Sequence, residues 1–538
     1  MNADVLVVGA GFAGLYAQHK LRELGLSVRG YEAGADVGGT WYWNRYPGAR
    51  CDVESIDYSY SFSDELQKEW DWSERYATQP EILRYLNHVA DRFDLRRDIS
   101  FGTRVTSAVY DDDAQHWEVR ADNGDVVTAT YCVFATGSLS ASRIPDIPGL
   151  SEFTGRWFHT ARWPHEGVEF TGRRVGIIGT GSSGIQATPL IAEQAAHLYV
   201  FQRSANYSIP AGNHPHTDET RAAYKATYEQ RRRASRESGG GSPHEAHPRR
   251  TLEVSEEERN AAYERRWELG GVLFSKTFPD QMATEEANAP ARAFWERKIR
   301  ALVTEPAVAD LLVPTDPAIG TKRICTDSDY YPTFNRDDVT LVDIRSAPIE
   351  EITPTGLRTT GGEYELDDIV FATGFDAMTG ALLGMDIRGR GGWSLRDAWA
   401  AGPRTYLGLM TAGFPNIFIV TGPGSPSVLA NMVLAAEHHI DWIADCLVHL
   451  ARTGNATIEA DAQAQDAWVR RSNELAENTL FPKANSWYLG ANVPGKPGVF
   501  MPFIGGFGTY RTICADVVAK GYEGFVLTPL AERRRTPA

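Results

Sequence analysis

The sequence predicts an α/β fold with two similar βαβ units and an all-helical insert. Two turns, Gly-Ala-Gly-Phe-Ala-Gly at Gly9–Gly14 and Gly-Thr-Gly-Ser-Ser-Gly at Gly179–Gly184, each follow an apolar run and precede a helix-like stretch, which predicts the units. Between Thr217 and about Leu312 the composition shifts to Ala, Glu and Arg, which predicts the insert. Because 538 residues are too many for one hydrophobic core, we expect two or three domains.

The first unit has the order of a dinucleotide-binding fold. An apolar strand at Val5–Val8 precedes the glycine turn, a helix to about Leu24 and a strand at Ser27–Tyr31. The glycines let backbone N–H groups approach a pyrophosphate at the positive end of the helix. Glu32, eighteen residues after Gly14, is placed to bond ribose hydroxyls. These features predict a site for the ADP half of FAD.

The second unit repeats this order. A strand at Arg174–Ile178, the second glycine turn, a helix to about Ala195 and a strand at Leu198–Phe201 follow one another. One glycine turn alone would be weak evidence, but two copies in this context indicate two Rossmann-like dinucleotide-binding domains.

The ribose position of the second unit holds a basic residue. Arg203 stands nineteen residues after Gly184 and is followed by Ser204. A guanidinium there would attract a 2′-phosphate that an acid would repel, so NADPH is favoured over NADH. Lys322 is a candidate second cation, although each basic side chain could instead be an ordinary surface charge.

The tripeptide Ala-Thr-Gly ends two apolar strands, at Ala135–Gly137 and at Ala372–Gly374. We therefore expect the chain to leave the first domain near residue 140 and to return near residue 370. The expected domains are a discontinuous FAD-binding domain at 1–140 and 375–538, a discontinuous NADPH-binding domain at 141–212 and 324–374, and a helical insert at 213–323.

Two segments of the insert carry local signals. The pattern Ser255-x-x-Glu258 is a capping signal ahead of a helical stretch that contains Tyr263 and Trp267. The segment Arg231–Arg250 contains three consecutive glycines among many Arg, Ser, His and Pro residues, which predicts a solvated loop with its basic side chains in water.

Charge and cysteine usage exclude several function classes. The formal net charge of −16 disfavours binding to nucleic acid or to anionic lipid, and no stretch approaches the roughly 20 apolar residues that span a bilayer. The five cysteines are far apart in sequence, so we expect reduced thiols in a cytoplasmic protein, with neither a disulfide framework nor a metal site. Disulfide reductase activity needs a pair of exchanging cysteines and is excluded, which leaves another electron acceptor or the reaction of reduced flavin with oxygen.

Two further segments narrow the chemistry. Phe153–Pro164 resembles the fingerprint Phe-x-Gly-x-x-x-His-x-x-x-Trp of type I Baeyer–Villiger monooxygenases, and Gly38–Asp52 is similar to the second signature of that family. The resemblance extends to Gly505–Arg511 and Gly521–Phe525, near the end of the chain. Trp163 favours this branch, because related flavin monooxygenases that oxidise nitrogen or sulfur usually carry Phe or Tyr there. A heteroatom-oxidising enzyme and a flavin-binding protein without turnover remain the alternatives.

The resemblance implies a reaction in which NADPH reduces FAD, oxygen adds to give a flavin C4a-peroxide, and this species converts a ketone into an ester or lactone. Arg323 matches the arginine that stabilises the negative peroxide and the intermediate that it forms with the ketone, and Asp52 matches the carboxylate that holds this arginine. A guanidinium suits the role because it stays charged and offers several directed donors. His159 falls in the interdomain linker, where a structural role is favoured, and Trp487 falls in a segment that could close as a lid.

The resemblance also implies which residues bind each ligand. The FAD residues are Gly9, Gly11, Ala13, Gly14, Glu32, Gly39, Thr40, Trp41, Asp52, Tyr58, Val105 and Met432. The NADP residues are Arg50, Cys51, Asp52, Thr180, Gly181, Ser182, Ser183, Gly184, Gln186, Arg203, Ser204, Lys322, Arg323 and Trp487. The substrate residues are Val428, Leu429 and Met432.

Within the family, Gly422–Met432 resembles the active-site loop of the steroid and phenylacetone monooxygenase group, and Arg203–Asn213 and Ser235–His244 are similar to its steroid-oxidising members. The apolar side chains proposed to line the pocket reward buried ketone area, so a bulky or steroid-like ketone is expected. The expected partners are this ketone and O2, and we expect a monomer.

Overall fold

The computed structural model describes residues 2–243, 245–315 and 318–529, so His244 of the Ser235–His244 segment lies outside the described residues. The described strands are β1 (Asn2–Val8), β2 (Val28–Tyr31), β3 (Ile99–Ser100), β4 (Val105–Asp111), β5 (His116–Ala121), β6 (Val126–Phe134), β7 (Arg156–His159), β8 (Arg174–Ile178), β9 (His197–Gln202), β10 (Ser208–Pro210), β11 (Cys325–Asp327), β12 (Val339–Asp343), β13 (Ile349–Thr353), β14 (Gly356–Thr359), β15 (Gly362–Glu365), β16 (Asp368–Phe371), β17 (Asp386–Arg388), β18 (Ile417–Ile419), β19 (Asn455–Ala460) and β20 (Phe525–Pro529).

The described α-helices are α1 (Phe12–Glu23), α2 (Thr40–Trp43), α3 (Asp64–Glu69), α4 (Gln79–Arg92), α5 (Ser182–Ala192), α6 (Asp218–Glu237), α7 (Glu256–Leu269), α8 (Glu285–Leu302), α9 (Pro306–Leu312), α10 (Tyr330–Thr333), α11 (Gly380–Leu383), α12 (Leu395–Ala398), α13 (Met432–Thr453), α14 (Ala462–Glu477) and α15 (Phe507–Ala519). Short 3-10 helices lie at Arg96–Asp98, Leu150–Glu152, Thr160–Arg162, Thr251–Glu253, Val272–Lys276, Arg390–Gly392, Ser427–Leu429, Phe481–Lys483 and Trp487–Leu489.

The first sheet has eight strands, and the first glycine turn follows its strand β1. Its order is β17-β4-β5-β6-β1-β2-β3, with β18 also paired to β6. Strand β1 is parallel to both β2 and β6, whereas β4, β5 and β6 form an antiparallel meander. The predicted order of strand, turn, helix and strand is confirmed by β1, α1 and β2, and residue 9 begins the turn at the carboxyl end of β1.

The second sheet has five strands in the order β12-β9-β8-β16-β7, and every neighbouring pair is parallel. The predicted repeat is confirmed by β8, α5 and β9. Because a parallel sheet is covered on both faces, its central strands are apolar and buried, and all four residues of β16 are buried.

The repeated tripeptide packs against the repeated glycine turn. A Cβ on Gly9, at φ +109°, would lie 2.5 Å from the carbonyl oxygen of Ala135. A Cβ on Gly179, at φ +112°, would lie 2.5 Å from the carbonyl oxygen of Ala372. Only glycine tolerates both this φ and this contact, so the same backbone arrangement fixes the start of each helix.

Helices α6 to α9 form the described part of the stretch predicted to be a helical insert. The predicted cap of α7 is confirmed, because the Ser255 hydroxyl accepts a hydrogen bond from the N–H of Glu258 at 3.2 Å. All five cysteines are free and buried. Among the described helices, none has the length and apolar composition that crossing a membrane requires.

The prediction of a solvated loop at Arg231–Arg250 is wrong at its start. Helix α6 extends to Glu237, and Arg232 is only 4% exposed. Arg231 donates to both carboxylate oxygens of Asp57 at 2.7 Å, and Arg232 donates to Gln67 at 3.0 Å. These partners satisfy the buried guanidinium of Arg232 and the partly buried one of Arg231, which is why basic side chains can be packed here.

Candidate active site

The first glycine turn forms a cradle for a pyrophosphate. Gly11 precedes α1 and has no side chain to occupy the N–H groups of the first helical turn. A Cβ on Gly14 would lie 1.8 Å from the carbonyl oxygen of Gly9, so the turn closes tightly. The buried Glu32 carboxylate accepts hydrogen bonds from the N–H groups of Ala10 at 2.7 Å and Gly34 at 2.6 Å. Burial raises the pKa of Glu32 despite these bonds.

Some of the other predicted FAD residues lie beside this turn. A Cβ on Gly39 would lie 2.8 Å from Gly11 Cα, so Gly39, Thr40 and the first turn of α2 sit against the cradle. Trp41 is buried and donates from Nε1 to the Tyr58 hydroxyl at 3.3 Å. The remaining members are Ala13 in α1, Val105 at the buried start of β4, and Met432 at the start of α13.

The second turn has the same geometry. A Cβ on Gly184 would lie 2.2 Å from the carbonyl oxygen of Gly179, whereas a Cβ on Gly181 would face open space. Ser182 and Ser183 are the first two residues of α5, and the Thr180 hydroxyl donates to the Ser204 carbonyl at 2.8 Å. Arg203 and Ser204 are exposed just beyond β9, as a contact with a 2′-phosphate requires. The open helix N-terminus therefore fits a second pyrophosphate.

A loop of the first unit reaches the second turn. A Cβ on Gly48 would lie 2.4 Å from the carbonyl oxygen of Gln186 in α5. The Gln186 side chain donates to the Arg50 carbonyl at 3.2 Å and accepts from the Tyr46 hydroxyl at 2.8 Å. These contacts bring Arg50, Cys51 and Asp52 to the N-terminal part of α5, so one loop borders both candidate nucleotide sites.

Arg323 is fixed at this junction by three hydrogen bonds. Its Nε and Nη2 donate to the two oxygens of Asp52 at 2.6 and 2.8 Å, and its Nη1 donates to the Val428 carbonyl at 2.9 Å. Burial would raise the pKa of Asp52, but the guanidinium outweighs it and holds that pKa below its usual range. Burial would lower the pKa of Arg323, but Asp52 raises it, so the arginine remains charged.

Two further side chains face Arg323 and were missed by the sequence analysis. Tyr488 is buried near the Arg323 guanidinium, and burial raises its pKa to about 12 although the charge of Arg323 opposes the rise. Burial, followed by the charge of Arg323, lowers the pKa of Lys276 in the insert. The neighbouring Trp487 could have pointed to Tyr488, but no sequence pattern distinguishes Lys276 from a surface lysine.

The predicted substrate residues join the predicted lid in one apolar cluster. Val428, Leu429 and Met432 belong to the same hydrophobic cluster as Trp487 and Tyr488. The rings of Trp487 and Tyr488 lie 4.3 Å apart, and Trp487 itself is only half-buried. Lys322 adjoins Arg323 in sequence and is also partly buried. The cluster places an apolar wall beside the charged pair of Arg323 and Asp52.

The fingerprint histidine makes structural contacts. His159 is 2% exposed, its Nδ1 accepts from the N–H of Ala161 at 3.0 Å, and its Nε2 donates to the Arg143 carbonyl at 3.1 Å. Burial lowers the pKa of His159, which keeps the ring neutral. Arg143 in turn donates to the Asn492 carbonyl, so the histidine connects the linker to the segment that follows Trp487.

The chain is similar to a family profile over part of its length and to known proteins over nearly all of it. The family profile described as "Pyridine nucleotide-disulphide oxidoreductase" matches residues 6–225. A Baeyer–Villiger monooxygenase of Pseudooceanicola batsensis is 46% identical over 536 residues, which are 98% of this chain and 97% of that protein.

Two solved structures each cover 98% of this chain. The structure of an oxidized steroid monooxygenase bound to NADP has a TM-score of 0.95 and 64% identity, covering 98% of this chain and 100% of that one. The crystal structure of the OTEMO complex with FAD and NADP has a TM-score of 0.95 and 41% identity, covering 98% of this chain and 99% of that one.

Proposed function

The chain belongs to the Baeyer–Villiger monooxygenases, and on that premise we propose that it oxidises a bulky, steroid-like ketone to an ester or lactone with NADPH and O2. One oxygen atom of O2 enters the bond beside the carbonyl, and the other leaves as water. The observation that carries the proposal is the Arg323 guanidinium, held by Asp52 and by the Val428 carbonyl beside the loop that borders both glycine turns.

The two glycine turns fit the two cofactors of the family. FAD would bind the first turn and NADPH the second; when both are bound, NADPH would supply two electrons and the flavin would pass them to O2. Glu32 suits the ribose of FAD, and the exposed Arg203 with Lys322 suits the 2′-phosphate of NADPH. We assign the remaining FAD and NADP contacts to the residues that resemblance implies, supported by their positions around the two turns.

Arg323 is assigned to the reacting carbonyl. Its paired geometry with Asp52 fixes the plane of the guanidinium, so donors can point at the oxygen on which negative charge develops. Such fixed donors act strongly where protein excludes water, because no reorganisation is needed during the reaction. Asp52 acts through Arg323, by holding its charge and its direction.

The domain boundaries follow strand membership. Strands β1 to β6, β17 and β18 share one sheet, which supports an FAD domain at 1–140 and 375–538. Strands β7, β8, β9, β12 and β16 share the other, which supports an NADPH domain at 141–212 and 324–374, with the insert at 213–323. The free, buried thiols support a reducing, cytoplasmic setting, and we keep the monomer as a proposal.

The substrate class rests on the apolar wall of Val428, Leu429 and Met432. A rigid, multi-ring ketone can bury more apolar area against this wall than a small ring can, and binding gains about 25 cal/mol for each Å² removed from water. The 64% identity to a steroid monooxygenase supports the same class.

The test is product analysis under labelled oxygen. Purified protein is given FAD, NADPH, a steroid ketone and ¹⁸O₂, and the product is identified by mass spectrometry. We expect a ketone-dependent rise in NADPH oxidation and an ester with one ¹⁸O atom. Oxidation of sulfides or amines without ester formation would indicate a heteroatom-oxidising enzyme, and absence of NADPH oxidation would indicate a flavin-binding protein without turnover.

A further inference from the structure

The loop between β18 and α13 adopts an unfavourable backbone. Thr421 and Ser427 have φ values of +52° and +42°, in the left-handed region that non-glycine residues rarely adopt, and Thr421 is also β-branched. Both side chains are buried. Such conformations persist only where surrounding contacts hold them, and they concentrate at functional sites.

A chain of hydrogen bonds holds this loop and ends at Arg323. His439 Nδ1, in α13, accepts from the backbone N–H of Thr421 at 3.0 Å. The Thr421 carbonyl accepts from the Ser427 hydroxyl at 2.9 Å. The next residue, Val428, supplies the carbonyl that accepts from Arg323 Nη1 at 2.9 Å. The direction of the Val428 carbonyl therefore depends on the conformation that these bonds maintain.

The bonding of His439 defines its protonation. Its Nδ1 accepts from Thr421, so its proton lies on Nε2, which is 2.9 Å from the Tyr510 hydroxyl. That hydroxyl donates to the Leu407 carbonyl at 2.6 Å and so accepts from His439. Burial, followed by the charge of His438, holds the pKa of His439 well below its usual value. The ring is a neutral acceptor with one fixed orientation.

We propose that His439 is a positioning residue for the oxygenation step: through the backbone of Thr421 and the hydroxyl of Ser427, it holds the Val428 carbonyl that fixes Arg323. The proposal rests on the function proposed above. It makes the hydrogen bond that Nδ1 accepts from the Thr421 N–H, rather than the size of the ring, the feature that the reaction requires.

A matched pair of substitutions separates the two nitrogen atoms of His439. In His439→Asn, the side-chain oxygen can replace Nδ1 as the acceptor for Thr421, whereas in His439→Gln the amide group reaches the Nε2 position instead. We expect His439→Asn to form ester from NADPH nearly as efficiently as the parent enzyme. We expect His439→Gln to lose about threefold to tenfold in ester formed per NADPH, the effect of one neutral hydrogen bond, while flavin reduction stays unchanged.

A second measurement does not depend on activity. Hydrogen–deuterium exchange of the purified FAD-bound protein should show faster exchange of the peptide that contains Thr421 to Val428 in His439→Gln but not in His439→Asn. If His439→Gln does not fold, Ser427→Ala removes the next bond in the chain and should cause the same loss of coupling.

The outcomes distinguish this inference from the proposed function. A parent enzyme that forms no ester contradicts the proposed function. An active parent with equal coupling and equal exchange in both His439 variants contradicts the positioning role, as does a Ser427→Ala variant that remains fully coupled. A fall in flavin reduction together with ester formation would also contradict it, because the defect would then lie outside the oxygenation step.

Discussion

Arg323 and Asp52 are separated by 271 residues in sequence, yet each oxygen of the carboxylate accepts one hydrogen bond from the guanidinium. Asp52 lies in the loop after α2 of the first unit, and Arg323 lies just before β11, at the end of the insert. The pair therefore joins the first nucleotide unit to the end of the insert. Any change in how the insert packs against that unit will alter the direction of the Arg323 side chain.

Arg323→Ala should separate flavin reduction from oxygenation. Because Arg323 is assigned to the oxygenation step and not to hydride transfer alone, NADPH should still reduce some of the flavin, whereas ester formation should fall at least about 100-fold, the scale of losing one oxyanion donor. Stopped-flow absorbance measures the first step and gas chromatography the second. Arg323→Lys keeps the charge but not the paired donors, so it should also be impaired. Ester formation near the parental rate in Arg323→Ala would disprove the assignment.

Asp52 should contribute a pH-dependent part of the stability. The pKa of Asp52 is lowered in the folded protein, so the stabilisation is fully present above its unfolded value of about 3.9 and is lost as the pH falls toward the folded value. The melting temperature of Asp52→Asn should therefore lie below that of the parent at pH 6, and the difference should shrink below about pH 4. Scanning calorimetry of both proteins tests this, and a difference that stays constant with pH would contradict it.

Arg203→Ala should affect NADPH and not NADH. The exposed guanidinium is proposed to bond the 2′-phosphate, and a charge-assisted hydrogen bond of about 1.5–3 kcal/mol corresponds to about a 10-fold to 150-fold rise in the KM for NADPH. Steady-state kinetics with both nucleotides measure the effect. Arg358→Ala, on the β13–β14 hairpin, is the control for loss of an exposed arginine. Equal losses for both nucleotides would show that Arg203 supports the fold instead.

Gly14→Ala should yield protein without FAD. Its Cβ would lie 1.8 Å from the Gly9 carbonyl oxygen, so the turn must open and the cradle is lost. The ratio of flavin to protein absorbance after purification measures retention. Gly362→Ala is the control, because its Cβ would meet no atom within 4 Å. A yellow Gly14→Ala protein with full FAD content would exclude this turn as the binding site.

Progesterone should be a better substrate than small ketones. We expect conversion to its acetate ester with a lower KM than for cyclohexanone or phenylacetone, because the steroid buries more apolar area. Measuring kcat/KM for the three ketones is decisive. A clear preference for cyclohexanone would remove the steroid assignment and leave the reaction type intact.

The elements around both glycine turns could be predicted because their signals are local: a strand, a turn that requires glycine and a helix follow one another within about thirty residues. The capping signal at Ser255 was predictable for the same reason. Arg231 and Arg232 were not, because their partners Asp57 and Gln67 are 174 and 165 residues away along the chain. A basic side chain whose partner is distant looks the same in sequence as a solvated one.

The contacts in the candidate site were also not predictable from local sequence. Arg323 and Asp52 could be named only through resemblance, since nothing in the local sequence around either residue indicates that they pair. Tyr488 and His439 have roles defined by contacts with Arg323 and Thr421, which lie on other elements. Sequence alone presents Tyr488 and His439 as ordinary core residues.

Asp57 limits how this enzyme can be recombined with its relatives. Its buried carboxylate holds Arg231 of the insert, and its carbonyl accepts from Arg232 at 3.1 Å and from the Asn431 side chain at 2.7 Å. Asn431 also caps α13, next to the proposed substrate residues. A chimera whose exchanged insert lacks a basic side chain at the position of Arg231 would leave Asp57 as a buried, unpaired charge at the base of the substrate loop. Grafts should therefore transfer Glu54–Tyr60 together with α6.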